Sequence, residues 1–396
     1  MTAGPIRPAA AGTMMRQRDG HHAKVTYEEL FFDLVYVFAV TQISHVLLHH
    51  SSWIGAFQTL ILWFAVWLGW QYSCWVTNWF NPENPRLRFI LFLSMLLALV
   101  MAAAIPDAFG DRGLIFAACY ASMQVGRTIF IVISLDRDDP LAANYRRMAT
   151  WLIISACFWI AGGLAEPNAR LMLWMTAALC EYISPMFGFA FPGMGRSRTR
   201  DWTIEGGHLA ERCQLFVIVA LGETLLATGA TLAAGESWTV QSLSALGATF
   251  LGTLALWWLY FGTSSKDATA TITASEDPGR IGASLHYVHA ILVSGIIVCA
   301  VGNDLAMEHP DNRATLAQGL ILAAGPIIYL AGSALYRRVV YGRLPKSHIA
   351  GIGLSLSIAP IGVEAGLLTG GWLATILLTA IAFFENRSSG AVSRPA

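Results

Sequence analysis

Charge is what this sequence has least of. Asp, Glu, Lys and Arg make up 13% of its 396 residues, about half the share that a soluble domain spends on them. With 55% hydrophobic residues and a mean hydropathy of +0.54, that shortage excludes an ordinary soluble enzyme and implies a chain folded in a bilayer. Cysteine supplies no chemistry either. Cys74, Cys119, Cys157, Cys180, Cys213 and Cys299 lie singly inside apolar runs, without the close pairing of a zinc site or redox motif, and read as small apolar fillers. A P-loop, a Gly-x-Ser-x-Gly elbow and a His-Glu-x-x-His helix are all missing, as is a soluble segment to hold one. ATP-driven pumping by this chain alone is therefore excluded, and no metal, cofactor or nucleic-acid partner is expected. The expected partner is the lipid bilayer.

What is present in quantity is the apolar run. The runs continue for about twenty residues, the length of a membrane-crossing helix, whereas a barrel needs alternating strands of about ten. Candidate helices fall near 29–48, 53–77, 87–106, 114–135, 146–164, 170–190, 208–233, 238–262, 281–304, 315–336, 347–368 and 370–385. The fold class is thus an all-α polytopic membrane protein with about 12 transmembrane helices. Twelve spans place twenty Lys and Arg in the terminal tails and even-numbered loops, and only Arg112, Arg170 and Arg313 on the other side. Basic residues stay cytoplasmic, so both termini are expected in the cytoplasm, with the chain in a bacterial inner membrane. Residues 1–28 lack the apolar core of a signal peptide and read as a loosely ordered tail.

The runs repeat. "EELFFDLVYVFAVTQIS" in span one and "AERCQLFVIVALGETLL" in span seven align so that Glu29 meets Glu211 and Thr41-Gln42 meets Glu223-Thr224. Asp107 then falls opposite Asp304, and Glu181 and Glu385 lie late in spans six and twelve. Two parallel six-helix repeats follow, 29–192 and 208–386, with a linker at 193–207 and a C-terminal tail at 387–396. In transporters built from such repeats the site lies between the halves.

A charge at the bilayer centre costs about 2.5 to 3.5 kcal/mol on insertion scales and marks an interior, partnered position. Span seven carries His208, Glu211, Arg212 and Glu223. At about 100° per residue, His208, Arg212 and Glu223 share one face. Arg212 and Glu223 are about 16 Å apart along the axis at 1.5 Å per residue, so each needs a partner on another helix. Glu29 or Asp33 is expected to neutralise Arg212. Glu223, deep in its span among small residues, is the leading proton or cation site. Span nine carries His286, His289 and Asp304; Arg127 and Glu181 form a plausible pair between spans four and six. The tryptophans of span two, Trp63, Trp67, Trp70 and Trp75, read as packing and interface belts.

"YEELFFDLVYVFAVTQISH", "AAAIPDAFGDRG", "GHLAERCQLFVIVALGETLLATG", "WWLYF" and "HYVHAILVSGIIVCAVGNDLAMEHP" together resemble the bacterial low temperature requirement A family of membrane proteins, in order and spacing, from about residue 25 to about 385. The chain departs from that pattern at Cys213-Gln214, where His-Gly is expected, so no role for that histidine is carried over. The resemblance implies a multi-helix bacterial membrane protein named for growth in the cold. A fainter likeness of "FFDLVYVFAVT" and "RCQLF" to potassium channels built of six-helix repeats points towards permeation. Three functions follow as expectations. The first is permeation of an ion or small solute between the two halves. The second is an intramembrane enzyme acting on a lipid, with His208 and Glu211 or His286 and Asp304 as acid and base. The third is a structural membrane factor.

Overall fold

The computed structural model describes residues 14–16, 23–202, 204–235, 238–262, 271–272 and 275–392. Most of the tail expected at 1–28 lies outside them. The described residues fold as helices joined by short turns, without a sheet: α1 (Tyr27–His49), α2 (Trp53–Trp79), α3 (Pro85–Ala104), α4 (Gly113–Ser134), α5 (Pro140–Leu164), α6 (Pro167–Met186), α7 (Gly206–Ala234), α8 (Val240–Trp257), α9 (Pro278–Glu308), α10 (Leu316–Tyr341), α11 (Lys346–Ser355), α12 (Ile358–Ala365) and α13 (Leu367–Val392). Several starts are written locally. Asn84, Asp139 and Asp277 accept a backbone N–H at the N-terminal ends of α3, α5 and α9, and each is followed by a proline whose missing N–H costs nothing in a first turn.

Eleven segments are long and apolar enough to cross a membrane. Two differences from the expected twelve spans have physical causes. The run expected at 347–368 is a broken rod, α11 followed by α12, because Pro360 has no N–H to continue the helix from Leu356. The α6 segment falls short in hydropathy, since it carries Arg170 and Glu181. Even so, α6 packs as its neighbours do. Gly162 meets Trp174 and Ser155 reaches Ala177, so α6 runs antiparallel to α5. Phe116 stacks near Trp174 and Tyr120 bonds Glu181, so it runs parallel to α4. Arg170 donates to the carbonyls of Gly162 and Ala165 at the end of α5 and of Ala108 and Gly110 in the preceding turn. A basic residue read as a loop charge thus satisfies orphan helix-end carbonyls.

The packing of α9 against α10 is built on missing side chains. A Cβ at Gly295 would lie 2.4 Å from the Tyr329 backbone N, and one at Gly325 would lie 2.9 Å from the Cys299 backbone N. These glycines let α9 and α10 approach backbone to backbone, the small-residue route to helix association in lipid. The α2 tryptophans are interior. Trp63, Trp67, Trp70 and Trp75 are all buried and form a core with Phe216 and His286 rather than an interface belt. The α8 helix ends in a π turn, Trp258–Gly262, which buries Tyr260.

Candidate functional site

The functional candidates of α7 face α1. His208 meets Glu29, Arg212 meets Asp33 and Ser44 meets Glu223, each pair 179 residues apart in sequence. A constant offset over that length means that α1 and α7 lie side by side, parallel and without slip. Their charges gather at two levels, about 16 Å apart along the helices at 1.5 Å per residue.

At the first level, near the N-terminal ends of α1 and α7, the charges are matched. Arg212 Nη2 donates to Asp33 Oδ1 at 2.6 Å and its Nη1 lies 3.4 Å from Glu29 Oε1. Both expected partners of Arg212 are therefore in place. Glu29 is also the third residue of α1, and its carboxylate accepts from the Thr26 backbone N–H and hydroxyl at 2.8 and 3.0 Å, closing a capping box. Its remaining partners are Arg16, at 3.2 Å, and His208, at 2.7 Å. The His208 tautomer follows from Asn78. The Asn78 oxygen accepts from the Glu205 N–H, so its amide hydrogens go to the Glu205 carbonyl and to His208 Nδ1. His208 thus accepts at Nδ1 and donates from Nε2 to Glu29, as a neutral ring. Among the described residues, the two buried carboxylates Glu29 and Asp33 thus face the two guanidiniums of Arg16 and Arg212.

Sequence reasoning missed three members of this level. Trp70, read as a belt residue, donates to Asp33 at 2.7 Å and places its ring against the Arg212 guanidinium. Asn78 was hidden in the aromatic end of α2. Arg16 was assigned to a loose tail, yet residues 14–16 are strapped to α2: Arg16 N donates to the Trp79 carbonyl and Asn81 N to that of Met14, both at 2.9 Å. A polar residue in a polar tail gives no sequence signal for docking. Glu211 faces the chain before α1, where it accepts from the Val25 N–H at 3.4 Å.

At the second level, among the described residues, no cation pairs with the carboxylate. Glu223 is 1% exposed and takes two hydroxyls of α1, Thr41 Oγ1 at 2.5 Å and Ser44 Oγ at 3.0 Å. Each hydroxyl has a second acceptor within reach, the Val37 carbonyl at 3.2 Å for Thr41 and the Thr41 carbonyl at 2.9 Å for Ser44. A hydroxyl has one hydrogen and two lone pairs. It can therefore donate to an ionised Glu223, or turn that hydrogen to its own helix and accept from a protonated one. The clasp serves both protonation states without moving a heavy atom.

Of the other candidates, Asp304 lies within electrostatic reach of Glu223; the rest do not converge. Arg127 and Glu181 are not paired directly. Arg127 donates to Ser73, the Gly69 carbonyl and Gln124, while Glu181 accepts from Tyr120, Ser155 and Trp159. Gln124 donates to Tyr120 and so separates the two charges. His286 sits between the Trp70 and Trp75 rings, and His289 bonds Tyr260 at 2.7 Å. Asp304 is buried near the far end of α9, some 27 Å along the helix from His286 at 1.5 Å per residue. Of the acid–base pairings considered for an enzyme, His208 directs its Nε2 to Glu29, and His286 and Asp304 lie at opposite ends of α9. Among the described residues, no group of three or more His, Cys, Asp or Glu side chains could hold a metal ion.

Eleven helices long and apolar enough to cross a membrane, with their charged groups largely buried between them, define a multi-pass α-helical membrane protein. Residues 24–383 match the family described as bacterial low temperature requirement A protein (LtrA), and the chain belongs to that family. It is 36% identical over 384 residues to Uncharacterized protein RA0937 of Rhizobium meliloti (strain 1021), covering 94% of this chain and 91% of the relative. No solved structure matches it.

Proposed function

We propose that this protein is a permeation protein that moves a small cation, in the simplest case a proton, between two halves of six crossings each, 29–192 and 208–386. The observation that carries the reading is the Glu223 clasp: a buried carboxyl at the seam of the two halves, without a cation, held by hydroxyls that serve both its charged and its neutral form. Glu181 is also buried without a direct cation, but its partners Tyr120, Ser155 and Trp159 lie on α4 and α5, whereas Glu223 sits where α7 meets α1.

The two-half arrangement is supported by the direction of the helices. Parallel α1 and α7 in one bilayer require an odd number of crossings between them, the five helices α2 to α6, which counts α6 as a crossing despite its low hydropathy. At 20 residues and 1.5 Å per residue it covers about 30 Å, the thickness of the hydrocarbon core. The basic loops favour a cytoplasmic position for both termini. On that reading the Glu29–Arg212 network is the cytoplasmic closure, and Glu223 the site that it isolates.

The test is flux. Purified protein in liposomes with a pH-sensitive dye inside should dissipate an imposed gradient, and Glu223→Gln should abolish that flux while eluting and melting as a folded protein. Flux in the variant equal to wild type would remove Glu223 from the pathway, and no flux in wild type under any cation gradient would end the permeation reading.

A further inference from the structure

A cavity of about 520 Å³ lies where α1 and α2 meet α9 and α10, away from the charged levels. Its volume is that of a ligand pocket, about 300 to 1,000 Å³, but its chemistry is not that of a polar substrate. The walls are aliphatic, with Leu47 on α1, Leu60 on α2, Ile297 on α9 and Leu320 on α10. Two wall hydroxyls are turned away from it: Thr59 Oγ1 donates to the Gly55 carbonyl and Ser294 Oγ to that of Ile291, both at 2.8 Å. Polar groups gather at one end only, where Ser51 and Ser52 form the turn between α1 and α2 beside Trp53.

The dimensions and the surroundings identify the occupant. Along α2 the lining runs from Ser52 to Trp63, about 16 Å at 1.5 Å per residue. That is the depth of one leaflet, half of a hydrocarbon core of about 30 Å. The lining residues Leu60 and Leu316 are also exposed on the outer face of their helices, where the only medium for an apolar side chain at this depth is lipid. Trp53 is 83% exposed at the level where tryptophan meets headgroups. We infer that this groove binds one acyl chain of a membrane phospholipid, tail inward along α2 and headgroup at the Ser51–Trp53 turn. The inference does not depend on permeation. It places a lipid on the seam between the halves, against Ile43 and Leu47, the α1 residues on either side of Ser44.

Native mass spectrometry and lipid extraction of the full chain, after a delipidating detergent wash, test it. The wild type should retain about one phospholipid per chain. Ala56→Trp and Ala324→Trp, which fill the groove, should each abolish retention, since the indole takes the space that the acyl chain needs. Leu226→Trp, on the exposed side of α7, should retain lipid as wild type does. A phospholipid with a photoreactive acyl chain, used on the wild type in liposomes, should label segments 43–63 and 294–328, which keeps the test independent of whether the variants fold. Equal retention in the filled variants, labelling elsewhere, or recovery of detergent or free fatty acid alone would each overturn the inference.

Discussion

The two charged levels of the α1–α7 seam solve the same problem in opposite ways. At one end Glu29 and Asp33 are neutralised by Arg16 and Arg212, with Trp70, Asn78, Thr26 and His208 completing the hydrogen bonds. Farther along, Glu223 has two hydroxyls and no cation. In the matched network, removing Arg212 would strand Asp33 in low dielectric. The hydroxyl clasp has hydrogen bonds to offer its carboxyl in either form. On the permeation reading proposed above, the contrast separates a part of the seam that locks two helices from a part that takes up and releases a small ion.

The strongest way to break that contrast is to unbalance the locked end. Arg212→Met leaves Asp33 without its cation and should cost about 3 to 5 kcal/mol, the usual penalty for stranding one partner of a buried pair, read as a lowered thermal midpoint in detergent. Adding Asp33→Asn should recover most of the loss. An Arg212→Met protein that melts with the wild type would mean that this end is wet and screened, and the comparison would collapse.

The clasp should respond more mildly. Thr41→Val removes one hydroxyl donor, worth about 1.5 to 3 kcal/mol where the acceptor is charged, and should slow flux in liposomes. In a Glu223→Gln background the same substitution should cost less, because a neutral amide asks less of its donor. Equal costs in the two backgrounds would show that Glu223 and Thr41 are not coupled, a direct test of the two-state hydrogen bond.

How much of this was legible in the sequence follows from what a linear pattern encodes. The helices were readable because apolar length and Pro or Gly punctuation are local; the pairing of Arg212 with Glu29 and Asp33 was readable because two similar runs carried charges at equal depth. Rotational phase was not. Arg127 and Glu181 occupy neighbouring helices, as expected of a pair, but Tyr120 and Gln124 intervene. In the second half Arg337 and Glu385, on α10 and α13, do meet, at 2.5 Å. Nothing in either pair of runs distinguishes the joined charges from the separated ones, since the difference lies in which neutral side chain faces the gap. Trp70 was read as a packing or belt residue, and the packing half of that reading holds, but an indole in an apolar stripe fits a membrane belt or a core equally well, and its N–H acquires a role only once Asp33 lies beside it.

The smallest predicted change sharpens the comparison most, because it separates closing an end from stabilising it. Arg16 belongs to the matched network, yet it reaches Glu29 from a three-residue strap rather than from a helix, and Glu29 keeps Thr26, His208 and Arg212 without it. Arg16→Ala should therefore lower stability by only about 1 kcal/mol, the worth of one hydrogen bond with its acceptor still satisfied. The strap's backbone contacts with Trp79 and Asn81 do not involve the side chain, so residues 14–16 should stay in place. If the network is the closure proposed for the Glu223 pathway, removing its outermost cation should raise flux in liposomes while the melting point barely moves. Unchanged flux would confine Arg16 to anchoring the tail and leave closure to Arg212 and His208, which belong to the body of α7.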